Sequence, residues 1–188
     1  MNKVVIFPTD TVYGIGAALD DKKGIDRIYQ IKGRNYDKPL IALAYDLSYV
    51  EKIAVVTKEA KILAGTFWPG ALTLILKTQA SYESLTGEKT IGVRVPNHPY
   101  ALEAIKTYGN GLLKTTSVNH SGMAPLNDYE KIVSSFGPLV DKVYPNTQII
   151  SNKASTIVDL TRPEMVVLRE GDITLDAMKK GINTSLNK

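Results

Sequence analysis

Hydrophobic residues along the chain follow two periods, which alternate from one end to the other. Short apolar or alternating runs bounded by Gly, Pro or polar residues predict strands. These runs cover residues 3–7, 40–44, 72–76, 91–95, 112–117, 149–150, 156–160 and 166–168. Apolar positions at helical spacing predict helices at residues 22–32, 58–66, 100–108 and 128–136. A short terminal helix is predicted from Thr174, with fraying at residues 183–188.

Strands and helices that are mixed throughout the chain predict an α/β fold. Some successive strands are too close in sequence for a helical crossover, so we expect a twisted, mixed sheet flanked by helices. A length of 188 residues fits one domain, spanning residues 1–188, that buries about two-thirds of its unfolded surface.

The composition limits the class of protein. Hydrophobic residues make up 44% and charged residues 22%, as in an average soluble domain. No apolar stretch approaches the roughly 20 residues that span a bilayer, and the start lacks the features of a signal peptide. The absence of cysteine excludes disulfides and thiolate chemistry. We therefore expect a cytoplasmic protein with no membrane partner. The net charge of +4 mildly favours polyanionic ligands, although many of the lysines are explained equally well as solubilising residues.

Two polar stretches lie beside segments that are patterned for burial. Lys32-Gly33-Arg34, with Lys38 nearby, follows a predicted helix, and Ser117-Val118-Asn119 ends a predicted strand. Cations together with hydroxyl or amide groups at such ends suit an anionic ligand. The alternative is structural, because cations also stabilise the carboxyl end of a helix and Ser or Asn commonly caps turns.

The segment 8–16, Pro-Thr-Asp-Thr-Val-Tyr-Gly-Ile-Gly, follows the first predicted strand. It is either an ordinary connection to the next helix or a loop that presents Thr9 and Thr11 to a small polar ligand. It is not a Rossmann fingerprint, and the chain has no P-loop motif.

The remaining candidates favour chemistry by charge neutralisation. Arg94 should point away from the face of Val93 and Val95. Arg94 and Arg169 either face a cleft or lie in solvent. The sequence context of the two histidines does not fit a catalytic triad, and their spacing does not fit a metal site. Cations and hydroxyls without a general acid and base fit transfer at phosphorus, where positioning and charge dominate.

Taken in order, seven segments of the sequence resemble the YrdC-like family, specifically the short form of L-threonylcarbamoyladenylate synthase. The segments are residues 8–14, 32–34 with 38–41, 68–73, 92–99, 117–122, 155–160 and 168–171. The resemblance implies a basic concave cleft on the twisted sheet and an enzyme, a nucleotidyltransferase. It implies that L-threonine, bicarbonate and ATP, the last with Mg²⁺, become L-threonylcarbamoyladenylate and pyrophosphate. The product would serve the N6-threonylcarbamoyl modification of adenosine (t6A37) in tRNAs that read codons starting with A.

The family's site residues map onto positions of this chain. The resemblance assigns catalysis to Lys32, Arg34, Ser117 and Asn119. It assigns ATP binding to Arg34, Lys38, Thr90, Ser117, Pro125 and Arg169. It assigns threonine binding to Thr11, Leu43, Arg94, Thr115 and Ser155. No metal site made by protein residues is implied. A downstream tRNA threonylcarbamoyltransferase complex is an expected partner, and tRNA itself is a further candidate.

The chain departs from the family pattern at residues 144–154, which replace a stretch that is commonly glycine-rich, and at Leu43 and Thr116. A non-catalytic YrdC-like module that binds RNA through a basic cleft is the alternative function. Few aromatic residues are available for base stacking, which argues against that alternative.

Overall fold

The computed structural model describes residues 2–146, 148 and 150–186. The strands are β1 Val5–Phe7, β2 Gly14–Ala18, β3 Ile41–Ala44, β4 Leu72–Lys77, β5 Thr90–Arg94, β6 Leu112–Ser117, β7 Lys142–Val143, β8 Thr156–Asp159 and β9 Val166–Arg169. The helices are α1 Lys22–Lys32, α2 Leu47–Ile53, α3 Lys58–Phe67, α4 Ala80–Thr86, α5 Pro99–Gly109, α6 Tyr129–Phe136 and α7 Leu175–Leu186. A 3-10 turn, Gly137–Leu139, follows α6.

The nine strands of the described residues form one sheet in the order β7-β1-β2-β6-β3-β5-β4-β8-β9. The pairs β1–β7, β3–β5 and β4–β8 are parallel, and the other neighbours are antiparallel. This architecture confirms the predicted α/β class and the mixed sheet flanked by helices.

Helices pack on both faces of the sheet, and this arrangement determines where a cleft can form. On the back face, α2, α3 and α7 cover one apolar cluster, and α1 and α6 cover a second. On the front face, α5 packs its Ala101, Ala104 and Ile105 against Leu43 and Leu113. The front face beside α5 carries polar side chains. None of the helices in the described part of the chain has the length and apolar character needed to cross a membrane.

Several elements differ from their prediction. Segment 8–16 leads into strand β2, which pairs antiparallel with β1, rather than into a helix. The composition of β2, Gly-Ile-Gly-Ala-Ala, lacks the β-branched alternation that would have revealed it. Helices α2 and α4 were not predicted because each has only seven residues.

The carboxyl-terminal half contains two further differences. Ile150 lies outside any strand, and Ile149 lies outside the described residues. Helix α7 continues through residues 183–186, where fraying was predicted, because Met178 is buried and Ile182 packs against the same apolar cluster. Residues 187–188 lie outside the described residues.

Candidate active site

A cleft of about 250 Å³ opens on the front face of the sheet. It lies between the β1–β2 loop, the carboxyl ends of β5 and β6, and the beginning of β3, β4 and β8. The predicted site residues that line it are Thr11, Arg34, Leu43, Arg94, Thr115, Ser117, Pro125, Ser155 and Arg169. All five residues predicted to bind threonine are in this set, together with four of the six predicted to bind ATP.

Strand register explains why these side chains meet. Thr115 lies opposite Gly16 on β2 and Ile41 on β3, while Ser117 lies opposite Gly14. A Cβ at Gly14 would lie 3.0 Å from the Thr115 Cγ2, and one at Gly16 would lie 2.9 Å from its Oγ1. The two glycines therefore leave the space that Thr115 occupies in the floor of the cleft.

Lys32 lies beneath the cleft and does not line it. The residue is 1% exposed. Its ammonium group donates to the Ser117 carbonyl at 2.5 Å and to the Asn119 carbonyl and Oδ1 at 2.8 Å each. These bonds use all three of its protons. Burial, followed by the charge of Arg34, lowers the pKa of Lys32 from 10.5 to about 8. In this structure the donors of Lys32 hold the loop after β6, and the predicted catalytic role of Lys32 stays a prediction.

Asn119 also lies outside the lining of the cleft and positions Ser117. The Ser117 hydroxyl donates to the Asn119 Oδ1 at 2.7 Å. The Asn119 amide donates to the carbonyls of His120 and Met123, which places its oxygen toward Lys32 and Ser117. The Ser117 oxygen therefore offers only its lone pairs to a ligand.

Arg34 is half-buried at the edge of the cleft. Its guanidinium donates through Nε to the Lys38 carbonyl at 2.9 Å and through Nη2 to the Pro39 carbonyl at 3.3 Å. These two bonds use two of the five N–H groups of the guanidinium, and the other three can bind an anion. Lys38 contributes this carbonyl, but its side chain is exposed and does not line the cleft.

Arg94 is 4% exposed and is held by three protein contacts. Its Nη2 donates to the Asp10 Oδ1 at 2.6 Å, its Nη1 to the Thr11 Oγ1 at 2.7 Å, and its Nε to the Gly70 carbonyl at 2.9 Å. Burial lowers the pKa of Arg94, and the Asp10 carboxylate opposes that shift. The guanidinium is therefore rigid, and two of its five N–H groups remain for a ligand.

Ser155 and Arg169 form the opposite wall. The Ser155 hydroxyl lies 2.8 Å from the Thr73 hydroxyl, and the Arg169 Nε donates to the Ser155 carbonyl at 2.9 Å. Burial lowers the pKa of Arg169, as it does for Arg94. Thr90 begins β5 four residues before Arg94, is exposed, and does not line the cleft.

Two residues that support the cleft were not predicted as site residues: Asp10 and Thr73. Thr9, which one interpretation of segment 8–16 presents to a ligand, lines the cleft, and Asp10 follows it in the same segment. Thr73 alternates with buried Leu72 and Leu74, and this alternation was the available signal.

The cleft is electropositive, with three guanidiniums and no carboxylate among the lining residues. It also contains no histidine. His98 is buried and caps α5, where its Nδ1 accepts from the Tyr100 N–H at 3.2 Å. Within the described ranges, no group of three His, Cys, Asp or Glu side chains could hold a metal. The arrangement therefore suits binding of anions by fixed donors rather than acid–base exchange.

A sequence profile of the Sua5/YciO/YrdC family, described as telomere recombination, matches residues 1–171. The chain belongs to this family. Among the family's curated members, the threonylcarbamoyl-AMP synthase of Pyrococcus abyssi is 34% identical over 96% of this chain and 54% of its own length. The threonylcarbamoyl-AMP synthase of Bacillus subtilis is 35% identical over 95% of this chain and 52% of its own length.

A solved member of the family has the same fold. The crystal structure of P. abyssi Sua5 complexed with L-threonine superposes with a TM-score of 0.88 at 34% identity, covering 96% of this chain and 54% of that one. The chain thus spans about half the length of the curated family members that it matches here.

Proposed function

We propose that this protein is a threonylcarbamoyl-AMP synthase. It would convert L-threonine, bicarbonate and ATP into L-threonylcarbamoyladenylate and pyrophosphate. The observation that carries the proposal is the cleft, in which Arg34, Arg94 and Arg169 lie beside hydroxyls of Thr11, Ser117 and Ser155 without a lining carboxylate. The similarity to synthases along nearly the whole chain supports the same activity.

The substrates would divide between the two ends of the cleft. The two unused N–H groups of Arg94 would bind the threonine carboxylate, with Thr11, Leu43, Thr115 and Ser155 around the rest of the amino acid. ATP would lie toward the other end, near Arg34, Ser117, Pro125 and Arg169. Lys38 and Thr90 are left out of this set because their side chains lie outside the lining. Mg²⁺ would enter as part of the ATP substrate, since the lining residues supply neutral hydroxyls and no carboxylate.

The reaction would proceed in two steps. The threonine amine attacks the carbon of bicarbonate, water leaves, and a carbamate forms. A carbamate oxygen then attacks the α-phosphorus of ATP, and the bond to the bridging oxygen breaks so that pyrophosphate leaves with the electron pair. Arg34 and Arg169 would neutralise the charge that grows on the leaving group. Loss of one such contact typically costs about 2.7–4 kcal/mol of transition-state stabilisation.

The product is a mixed anhydride that a downstream reaction must consume. Its use would be the t6A modification of tRNA, in the cytoplasm, through a tRNA threonylcarbamoyltransferase complex that receives the adenylate. A purely RNA-binding role is not favoured, because the aromatic residue in the lining, Tyr13, is fully buried and cannot stack with a base.

Pyrophosphate release from ATP by the purified protein, measured with and without L-threonine in bicarbonate buffer, tests the proposal. Release that requires both threonine and bicarbonate is expected. Pyrophosphate release that does not depend on threonine would contradict the proposed synthase activity. So would the absence of release from a protein that still binds RNA.

A further inference from the structure

The three arginines of the cleft differ in how their charges are compensated. Arg94 forms an ion pair with Asp10, whose Oδ1 lies 2.6 Å from the Arg94 Nη2. Arg34 and Arg169 donate to neutral oxygens, and among the described residues neither forms an ion pair with a carboxylate. The proposed ATP end of the cleft therefore carries two uncompensated guanidiniums, whereas the guanidinium at the amino-acid end is compensated.

The ion pair between Arg94 and Asp10 is largely removed from water and has a fixed geometry. The Arg94 side chain is 5% exposed and that of Asp10 is 18% exposed. The Asp10 Oδ1 also accepts from the Asn97 N–H at 2.9 Å, and the Asp10 carbonyl accepts from the Ser151 N–H at 3.2 Å. Salt screens partly buried charges much less than surface charges. The Asp10 carboxylate therefore acts on any ligand that Arg94 binds.

We propose that Asp10 is a specificity-determining residue that makes the amino-acid end of the cleft select a zwitterion over an anion. This inference rests on the proposed function, in which Arg94 binds the threonine carboxylate. A free amino acid has no net charge, and it is attracted by Arg94 through its carboxylate and by Asp10 through its ammonium group. A ligand that is only an anion is repelled by Asp10. A polyphosphate is therefore directed to Arg34 and Arg169 instead.

An amine-free analogue of the substrate tests this assignment. (R)-3-Hydroxybutyrate has the carboxylate and the hydroxyl of L-threonine but lacks the amine, so it is an anion. The Kd of each ligand is measured by calorimetry, without ATP, in the parent and in Asp10→Asn, which keeps an oxygen acceptor but loses the charge. Asp20→Asn is the matched control, because Asp20 is exposed and lies outside the lining of the cleft.

The two ligands should respond differently to Asp10→Asn. This variant should bind (R)-3-hydroxybutyrate about 10-fold more tightly than the parent does, because the repulsion of its carboxylate is removed. The Kd of L-threonine should stay within about 3-fold of the parent value, because the lost attraction of its ammonium group offsets the same gain. Asp20→Asn should change neither Kd.

The ratio of the two Kd values separates an effect of charge from a structural effect. If Asp10 only held Arg94 in place, both ligands would bind more weakly to Asp10→Asn, and an unchanged ratio would overturn the assignment. Thermal stability is recorded in parallel. Asp10→Ser, which is also neutral and keeps an oxygen acceptor, replaces Asp10→Asn if that variant does not fold. A parent protein that binds no L-threonine would instead overturn the proposed function, and the inference with it.

Discussion

Replacing Lys32 by Met should change how stability depends on pH. Lys32 is buried, and among the described residues its ammonium group is held only by neutral oxygens of Ser117 and Asn119. Its pKa falls from 10.5 to about 8, a shift that corresponds to about 3.4 kcal/mol between the charged and neutral forms. Between these two pH values the unfolded chain binds more protons than the folded protein. The free energy of unfolding therefore rises with pH in this interval.

The magnitude can be worked out for a practical pH range. From about pH 7.5 to about pH 9.5, the Lys32 contribution to the free energy of unfolding should increase by about 2 kcal/mol. Met has a similar length and does not titrate. Subtracting the free energy of unfolding of the variant from that of the parent therefore removes the contribution of every other titrating group. The raised pKa of Tyr13, about 12, acts in the opposite direction above pH 10 and also cancels.

Urea denaturation of the parent and of Lys32→Met at several pH values provides the measurement. The parent should gain stability relative to the variant as the pH rises. If the difference in the free energy of unfolding between parent and variant stays constant or decreases across this range, the Lys32 charge is compensated in the fold. The account of Lys32 as a buried, uncompensated cation beneath the cleft would then be wrong.

Three further predictions concern the cleft. Arg34→Ala should lower threonine-dependent pyrophosphate release by at least about 100-fold with little change in melting temperature, because in the described structure Arg34 bonds two backbone oxygens. A large loss of stability would make its role structural. Lys38→Ala and Thr90→Ala should each change the KM for ATP by less than about 2-fold, since removing an exposed side chain outside the lining costs little. A large increase in this KM would show that the side chain contacts ATP. 2-Aminobutyrate, which lacks the hydroxyl of threonine, should support pyrophosphate release at least about 10-fold less well, because a polar group of the cleft is left unpaired. Equal rates of release with the two amino acids would refute recognition of the hydroxyl.

The sequence by itself determined the fold class and most of the elements. Periodicity located seven of the nine strands in the described part of the chain, because short apolar or alternating runs bounded by Gly, Pro or polar residues differ from helical spacing. The motifs at Lys32, Arg34, Ser117 and Arg94 were also visible, since each lies at the end of a predicted element. Strand β2 was missed because two of its five residues are glycines, which have low strand propensity, and at both positions Thr115 occupies the space that a Cβ would need.

The tertiary structure decided which of these side chains are available to a ligand. Lys32 and Arg34 are two positions apart, yet Lys32 uses all its donors beneath the loop after β6 while Arg34 lines the cleft. Thr90 and Arg94 share a strand, but only Arg94 reaches the cleft. Availability depends on hydrogen-bond partners that are often far away in sequence, as Ser117 and Asn119 are from Lys32. Local sequence patterns carry no information about such partners, because strand register and packing bring them together only in the folded protein.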